Sequence, residues 1–218
     1  MIDTKTIPTW DVFKAKLVCG AQFSVLYEFP ILKKVHFKPR KAIPFDKYTK
    51  MIDDTYWVHF YQHDYKFERI WNHPPKYLNI LKSFSGVITP DFSLYREMPL
   101  AMQIWNTYRN RALAFWMQNN GLNIVPNVRW GDERTYKFAF EGLPIGGTYA
   151  VGTNGCVRNK LDRYYFKKGL AQMVEVLKPD TIINYHGKPG DIFSVYEKQG
   201  IEVISLPYWR EAFGKAGL

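Results

Sequence analysis

Cysteine, metal-ligand spacings and long apolar runs are all scarce in this chain. Its 218 residues include two cysteines, Cys19 and Cys156, too few for a disulfide scaffold and in keeping with a reducing compartment. Neither has a partner at ligand spacing, and the five histidines (His36, His59, His63, His73 and His186) form no zinc pattern, so no metal site is expected. A magnesium ion held by Asp91 and another carboxylate finds no further support in the spacing. The opening stretch MIDTKTIPTWDVFKAK lacks the unbroken apolar core of a signal peptide, and no segment approaches the ~20 apolar residues that cross a bilayer. The expectation is a soluble, cytoplasmic protein with no membrane partner. Phosphate fingerprints are missing too. Gly152-Thr153-Asn154-Gly155 has neither the Gly-Lys-Ser/Thr ending of a P-loop nor the spacing of a dinucleotide site, and the residues name no cofactor.

Acidic charge is the next shortage. Thirty Lys+Arg stand against 20 Asp+Glu, a net charge of +10, with a pI near 9.4. Such an excess suits nucleic acid or another polyanion as partner, and a solvated basic surface explains it equally well. It is concentrated in residues 1–50, where ten Lys+Arg, Lys5 and Lys50 among them, face Asp3, Asp11, Glu28 and Asp46. Lys33-Lys34 through Arg40-Lys41 reads either as a phosphate-contacting arm or as an exposed loop.

What is abundant is apolar and aromatic: 46% hydrophobic residues, 17% aromatic. That is enough for one full core, and the expectation is a single α/β domain over residues 1–218, with 1–50 its less regular part. Phe23 to Phe29 alternates like a strand, as does Lys41 to Phe45. Trp57 to Tyr61, Val87 to Thr89, Leu122 to Val125, Tyr149 to Val151, Thr181 to Tyr185 and Ile201 to Leu206 are further strands. Helices alternate with them. Pro74-Pro75 must split the helical stretch between Tyr65 and Phe84. From Pro99 to Asn119, Ala101, Ile104, Trp105, Tyr108, Ala112, Phe115 and Trp116 form an apolar stripe, which leaves Gln103, Asn106, Arg109, Asn110 and Arg111 on an expected solvated face. A helix from Asn159 carries Leu161, Tyr165, Phe166, Leu170, Met173, Val174 and Leu177 as its buried stripe. Repeated βα units demand a mainly parallel sheet with right-handed crossovers. Strands trailed by polar turns favour a TIM-barrel-like form, incomplete or elaborated at this length, with an open doubly wound sheet as the alternative.

Parallel strands deliver their carboxyl ends to one rim, and ligands bind there. Asp64 falls on that rim in the turn after Trp57 to Tyr61, and Asp91 directly follows Val87-Ile88-Thr89-Pro90, which makes it the first candidate nucleophile or base. Asp132 and Glu133 are candidate partner carboxylates, since two carboxyls with divergent pKa values can share acid and base duties in cleaving a glycosidic or phosphodiester bond. A helix cap explains Asp132 as well, and the helix dipole explains Glu133. Asn127, Arg129 and Trp130 follow the next strand. A guanidinium fork matches phosphate oxygens, and an indole either stacks on a base or packs against a helix. Thr153, Asn154 and Arg158 lead into a helix whose free N–H groups favour anions. Tyr185 and His186 end a strand at the same rim. Cys156 reads as a small buried residue or as an activated thiolate.

The runs WVHFYQHDYKFERIWNHPPKYLNIL, ITPDFSLYREMPLAMQIWNTYRNRALAFWMQNNG, VPNVRWGDERTY, GTNGCVRNKLDRYYFKKGLAQMVEVLKP and IINYHG resemble a family described as domain of unknown function 4417, over roughly Ala42 to Leu206. One departure is Asn184-Tyr185-His186-Gly187, where the family pattern has an apolar residue before Tyr and Gly directly after it. The resemblance implies a phage, plasmid or other mobile-element context, hence the cytoplasm of a bacterial host, and supplies no catalytic residue. Two functions follow: action on nucleic acid or a nucleotide-like substrate, by hydrolysis, or non-catalytic binding of nucleic acid or a host protein.

Overall fold

The computed structural model describes residues 11, 13–49, 53–187 and 189–209. Lys5 and Lys50 of the basic N-terminal part, and most of the opening stretch discussed above, lie outside the described residues, as does Lys188.

Among the described residues, seven parallel strands alternate with helices. β1 (Ala42–Pro44), β2 (Trp57–His59), β3 (Gly86–Ile88) and β4 (Ile124–Val125) form one sheet in that order. β5 (Thr148–Gly152), β6 (Thr181–Tyr185) and β7 (Glu202–Leu206) form a second. A single parallel bridge, Asn127 to Ala150, joins the end of β4 to β5. α1 (Glu68–Asn72) and α2 (Pro74–Leu81) follow β2, separated at His73 because prolines at 74 and 75 lack the N–H groups that would continue α1. α3 (Leu100–Asn119) follows β3, a 3-10 turn at Glu133–Thr135 and α4 (Tyr136–Ala139) follow β4, α5 (Lys160–Leu177) follows β5, and α6 (Gly190–Lys198) follows β6.

The period-2 alternation of the strands sorts their side chains into two sets. Ile43, Val58, Val87 and Ile124 pack outward with α1, α2 and α3, while Tyr149, Val151, Ile182 and Val203 pack outward with α5 and α6. The other face of every strand contributes to one common cluster: Ala42, Trp57, Ile88, Val125, Ala150, Ile183 and Ile204, capped by Tyr61, Tyr185 and Leu206. Tyr185, at the end of β6, stacks on Tyr61 just past β2 (centroids 4.9 Å apart, 10° between planes) and lies 4.1 Å from the His59 ring. The inner faces of the two sheets therefore meet. No ladder between β7 and β1 exists among the described residues, so the expected barrel is not closed, and strand order is sequential within each sheet.

Three expectations need correction. Phe23 to Phe29 is not a strand but a tight turn closed by one antiparallel bridge, Phe23 to Pro30. Ser24 N–H donates to Phe29 O at 2.8 Å, which leaves Val25 and Leu26 in solvent. On α5, Leu161 is 56% exposed, because the first turn of the helix precedes its packing surface, which starts at Phe166. The largest difference is α3. Gln103, Asn106, Arg109, Asn110 and Arg111 are buried, whereas Ala101 and Trp105 of its expected stripe are exposed. The C-terminal half, Ala112 to Met117, packs on apolar partners, and in the N-terminal half Ile104 and Tyr108 pack on the Phe29–Leu94–Phe138 cluster and Trp105 on Trp71. The N-terminal half lies against loops whose backbone carbonyls need donors, and its polar side chains supply them.

Candidate functional site at the strand-end mouth

The loops after the strands enclose a cleft of about 440 Å³. Its lining is drawn from the turns that follow β1 (Asp46, Lys47), β2 (Tyr61, Gln62, His63, Lys66), β3 (Asp91, Ser93, Tyr95), β4 (Arg129) and β5 (Asn154, Gly155, Arg158), with Tyr185 ending β6 and Tyr208 and Trp209 beyond β7. Four basic side chains, Lys47, Lys66, Arg129 and Arg158, thus share it with two acidic ones, Asp46 and Asp91.

Asp91 is 8% exposed. Its position is set by the chain on either side: Thr89 Oγ1 accepts from Asn127 N–H at 2.8 Å, and Asn110 Nδ2 donates to Pro90 O. Asn106 Nδ2 donates to Ser93 O at 2.7 Å, and the Arg109 guanidinium lies 3.9 Å from the centroid of Phe92. The buried polar face of α3 therefore clamps residues 89–93. Asn127 Nδ2 donates to Asp91 Oδ1 at 2.8 Å, and Arg129 Nη1 stands 3.3 Å from Oδ2. Asn127 is oriented in turn by the Tyr61 hydroxyl, which donates to its Oδ1 at 2.9 Å. Burial pushes the Asp91 carboxyl above its ordinary value and the nearby Asp64 adds to this. The attraction of Arg129 and the Asn127 hydrogen bond oppose it without prevailing. Burial also works against the charge of Arg129, but Asp91, Cys156 and Tyr95 raise it overall, so the guanidinium stays charged. The result is a carboxylate held at a net electrostatic cost, with a fixed cation beside it.

Around this pair, Asp64 accepts from Ser93 N–H at 3.1 Å and from Ser93 Oγ at 2.7 Å. Asp46 accepts from Gln62 Nε2 at 2.6 Å and lies 3.4 Å from Lys66 Nζ. Beneath the Tyr61–Tyr185 stack, His59 accepts from Tyr61 N–H through Nδ1 at 3.2 Å, so its proton sits on Nε2. Burial holds its pKa down to about 3, and it is neutral at physiological pH.

Of the candidates read from sequence, the structure brings Asp91, Arg129, Asn154, Arg158 and Tyr185 to this cleft, and Asn127 stands directly behind Asp91. Asp132 and Glu133 do not reach it. Asp132 caps the 3-10 turn by accepting from Arg134 N–H at 3.1 Å, and its carboxylate is gripped by the Arg134 guanidinium, whose hydrogen bonds hold its pKa down. Glu133 is exposed in the first turn. Trp130 is buried against Phe166 and Gly169, so tightly that a Cβ on Gly169 would fall 2.1 Å from its Nε1. Thr153 ties β5 to β6, its hydroxyl donating to the carbonyls of Tyr185 and His186. The N-terminus of α5 is already served by Asn159, whose Oδ1 accepts from Asp162 N–H at 2.8 Å, and Asp162 itself occupies the first turn, where it disfavours a further anion. His186 has φ +68°, a left-handed conformation in which glycine carries no penalty, and it packs on Tyr208 rather than lining the cleft. The glycine of the family pattern fits that backbone better. The buried Asn184 stands where an apolar residue is expected and donates to Gly187 O, bracing the turn.

Sequence reasoning missed Asp46, Tyr61, Gln62, Tyr95, Tyr208 and Trp209. The strand-end rule that selected Asp91 would have found Asp46 after β1 as well; applied after β2 it selected Asp64 and passed over Gln62. Among the described residues no group of three or more His, Cys, Asp or Glu is placed to hold a metal ion, and no helix is long and apolar enough to cross a membrane.

Residues 21–207 match the family model described as Domain of unknown function (DUF4417). The chain is 35% identical over 128 residues to the Gene 1 protein of Mycobacterium phage L5, covering 59% of this chain and 56% of that protein. It is 30% identical over 167 residues to the Gene 1 protein of Mycobacterium phage D29, covering 74% and 61% respectively. The chain thus spans a little over half the length of these curated relatives. No solved structure matches it. The match over nearly the whole described chain, with relatives encoded by phages, identifies the protein as a member of the DUF4417 family, a phage-associated family of unknown function.

Proposed function

We propose that this protein acts on nucleic acid or a nucleotide-like substrate, by hydrolysis, at the strand-end cleft. The observation that carries the reading is Asp91, a buried carboxylate kept ionisable between Asn127 and Arg129 on a cleft wall that also bears Lys47, Lys66 and Arg158. A carboxyl with a raised pKa is a better base toward water than an ordinary one, and a guanidinium beside it suits a phosphate oxygen. In this reading Asp91 takes a proton from the attacking water and Arg129 holds the phosphoryl group. The water oxygen bonds to phosphorus as the bond to the leaving oxygen breaks, and the leaving oxygen takes its proton from solvent. Asp132 and Glu133 are given no part in it.

The same reading takes the chain as one α/β unit whose seven strands curl into an incomplete barrel, open between β7 and β1. Support comes from the shared inner cluster, the Asn127–Ala150 bridge and the ion pairs of Lys38 and Arg40 with Glu202, which link the approach to β1 with β7.

The test is incubation of the full chain with DNA and RNA oligonucleotides and nucleoside triphosphates, with products separated by chromatography. Cleavage that Asp91→Asn abolishes while binding persists is the expected result. Absence of both binding and cleavage ends the reading. Binding without cleavage favours the non-catalytic alternative, which the exposed Lys160, Lys167 and Lys168 on α5 support. In either case affinity should fall steeply with salt, since each neutralised phosphate releases counterions.

A further inference from the structure

Beside the strand-end cleft lies a second cavity of about 320 Å³, and the two share Tyr95, Arg129 and Gly155. Their chemistry differs. Lys47, Lys66, Arg158 and Asp91 line only the first, while Leu94, Val128, Trp130, Tyr165 and Phe166 wall only the second. Arg96, Glu97 and Asp162 line the second cavity as well, so its surface mixes polar and apolar groups. Glu97 is exposed, and Arg96 pairs with Asp162 at 3.0 Å while its guanidinium lies 4.6 Å from the centroid of the Tyr165 ring. The Cys156 thiol also lines only this cavity, its pKa pushed up by burial so that it is neutral.

We propose that the second cavity is the subsite for the nucleobase of a nucleotide whose phosphate occupies the first cleft. The inference rests on the nucleotide-directed reading above. A ligand that fills both spaces must pass Arg129 and Tyr95, carry an anion where Lys47, Lys66 and Arg158 stand, and at its other end meet Leu94, Val128 and Phe166 while keeping a polar edge. The guanidinium and the phenol ring both present planar faces on which a base stacks. The volume is at the low end of the ~300–1,000 Å³ of ligand pockets, which suits a single ring system and not a larger group. Arg96, Glu97 and Asp162 line part of this cavity, a setting that a base with a polar edge matches better than an aliphatic chain.

The test compares ribose 5-phosphate with AMP, GMP, CMP and UMP on the full chain. Affinity is measured by calorimetry, and the rate of Cys156 alkylation by iodoacetamide is measured by mass spectrometry with Cys19 as the internal reference. At least one nucleotide should bind about tenfold or more tightly than ribose 5-phosphate. The same nucleotide should slow alkylation of Cys156 and not of Cys19, whereas ribose 5-phosphate should slow neither. Cys156→Phe, which fills the cavity, should erase the preference for the nucleotide. Equal affinity for sugar phosphate and nucleotides, or a preference that persists in folded Cys156→Phe, overturns the base subsite and leaves the phosphate cleft standing. Failure of every one of these ligands to bind overturns the nucleotide-directed reading together with it.

Discussion

Asp91→Asn separates a carboxylate kept for function from one kept for stability. The side chains of Asp91 and Arg129 are 10% and 22% exposed, so the pair is largely withdrawn from water. If it were a net stabilising ion pair, removing one partner would strand the other and cost about 3–5 kcal/mol. The raised Asp91 pKa points the other way, because burial outweighs what Arg129 and Asn127 return. Asparagine recovers that shortfall. Against the gain, both neighbours of Asp91 donate to it, so the new amide sets one donor against another, a conflict worth about 1–3 kcal/mol. Arg129 also lines both clefts, where solvent reaches its charge. The two effects offset, and unfolding by urea should show a change within roughly 1–2 kcal/mol of zero at neutral pH, with ligand binding or turnover altered far more. The pH dependence has a definite sign. A carboxyl whose folded pKa exceeds the ordinary 3.8 contributes stability that is fully present below 3.8 and lost as pH rises through the folded value. The stability of wild type relative to Asp91→Asn should therefore decline over that interval. A loss of about 3–5 kcal/mol with unchanged ligand binding would refute the reasoning and make Asp91 a structural partner of Arg129.

Three further outcomes follow from the packing. Arg111, 1% exposed, donates to the carbonyls of Glu141 and Ala139 and to Asn110 Oδ1, so Arg111→Met, which orphans these acceptors while relieving the burial of a guanidinium, should lower stability by about 1–3 kcal/mol, read as a fall in melting temperature. Gly169→Ala should destabilise by about 1–3 kcal/mol, although alanine ordinarily improves a helix interior, because its Cβ would collide with Trp130; calorimetric unfolding checks the sign. His59, with its folded pKa depressed from 6.5 to about 3, contributes stability that is full above 6.5 and declines as pH falls toward 3, by about 1.4 kcal/mol per pH unit; an imidazole still neutral at pH 5 by NMR is the direct check.

From Lys41 onward, the alternation of short β-rich runs with amphipathic segments by itself determined the order of strands and main helices, because period-2 and period-3.6 patterns are local properties of the chain; the alternation of Phe23 to Phe29 misled. Thr181 to Tyr185 and the break at Pro74-Pro75 could be placed without a structure, and Asp91 could be singled out from its position just after a strand. Tertiary structure decided the rest. The polar side of α3 has the composition of a solvated face, and only the neighbouring loop, with Pro90 and Ser93 carbonyls in need of donors, turns it inward. Asp132 is a residue type suited to a site, but it is committed to Arg134. The cleft itself joins turns after six of the seven strands to the end of β6, from Asp46 to Trp209, and such long-range convergence depends on how parallel strands line up, which no local pattern encodes.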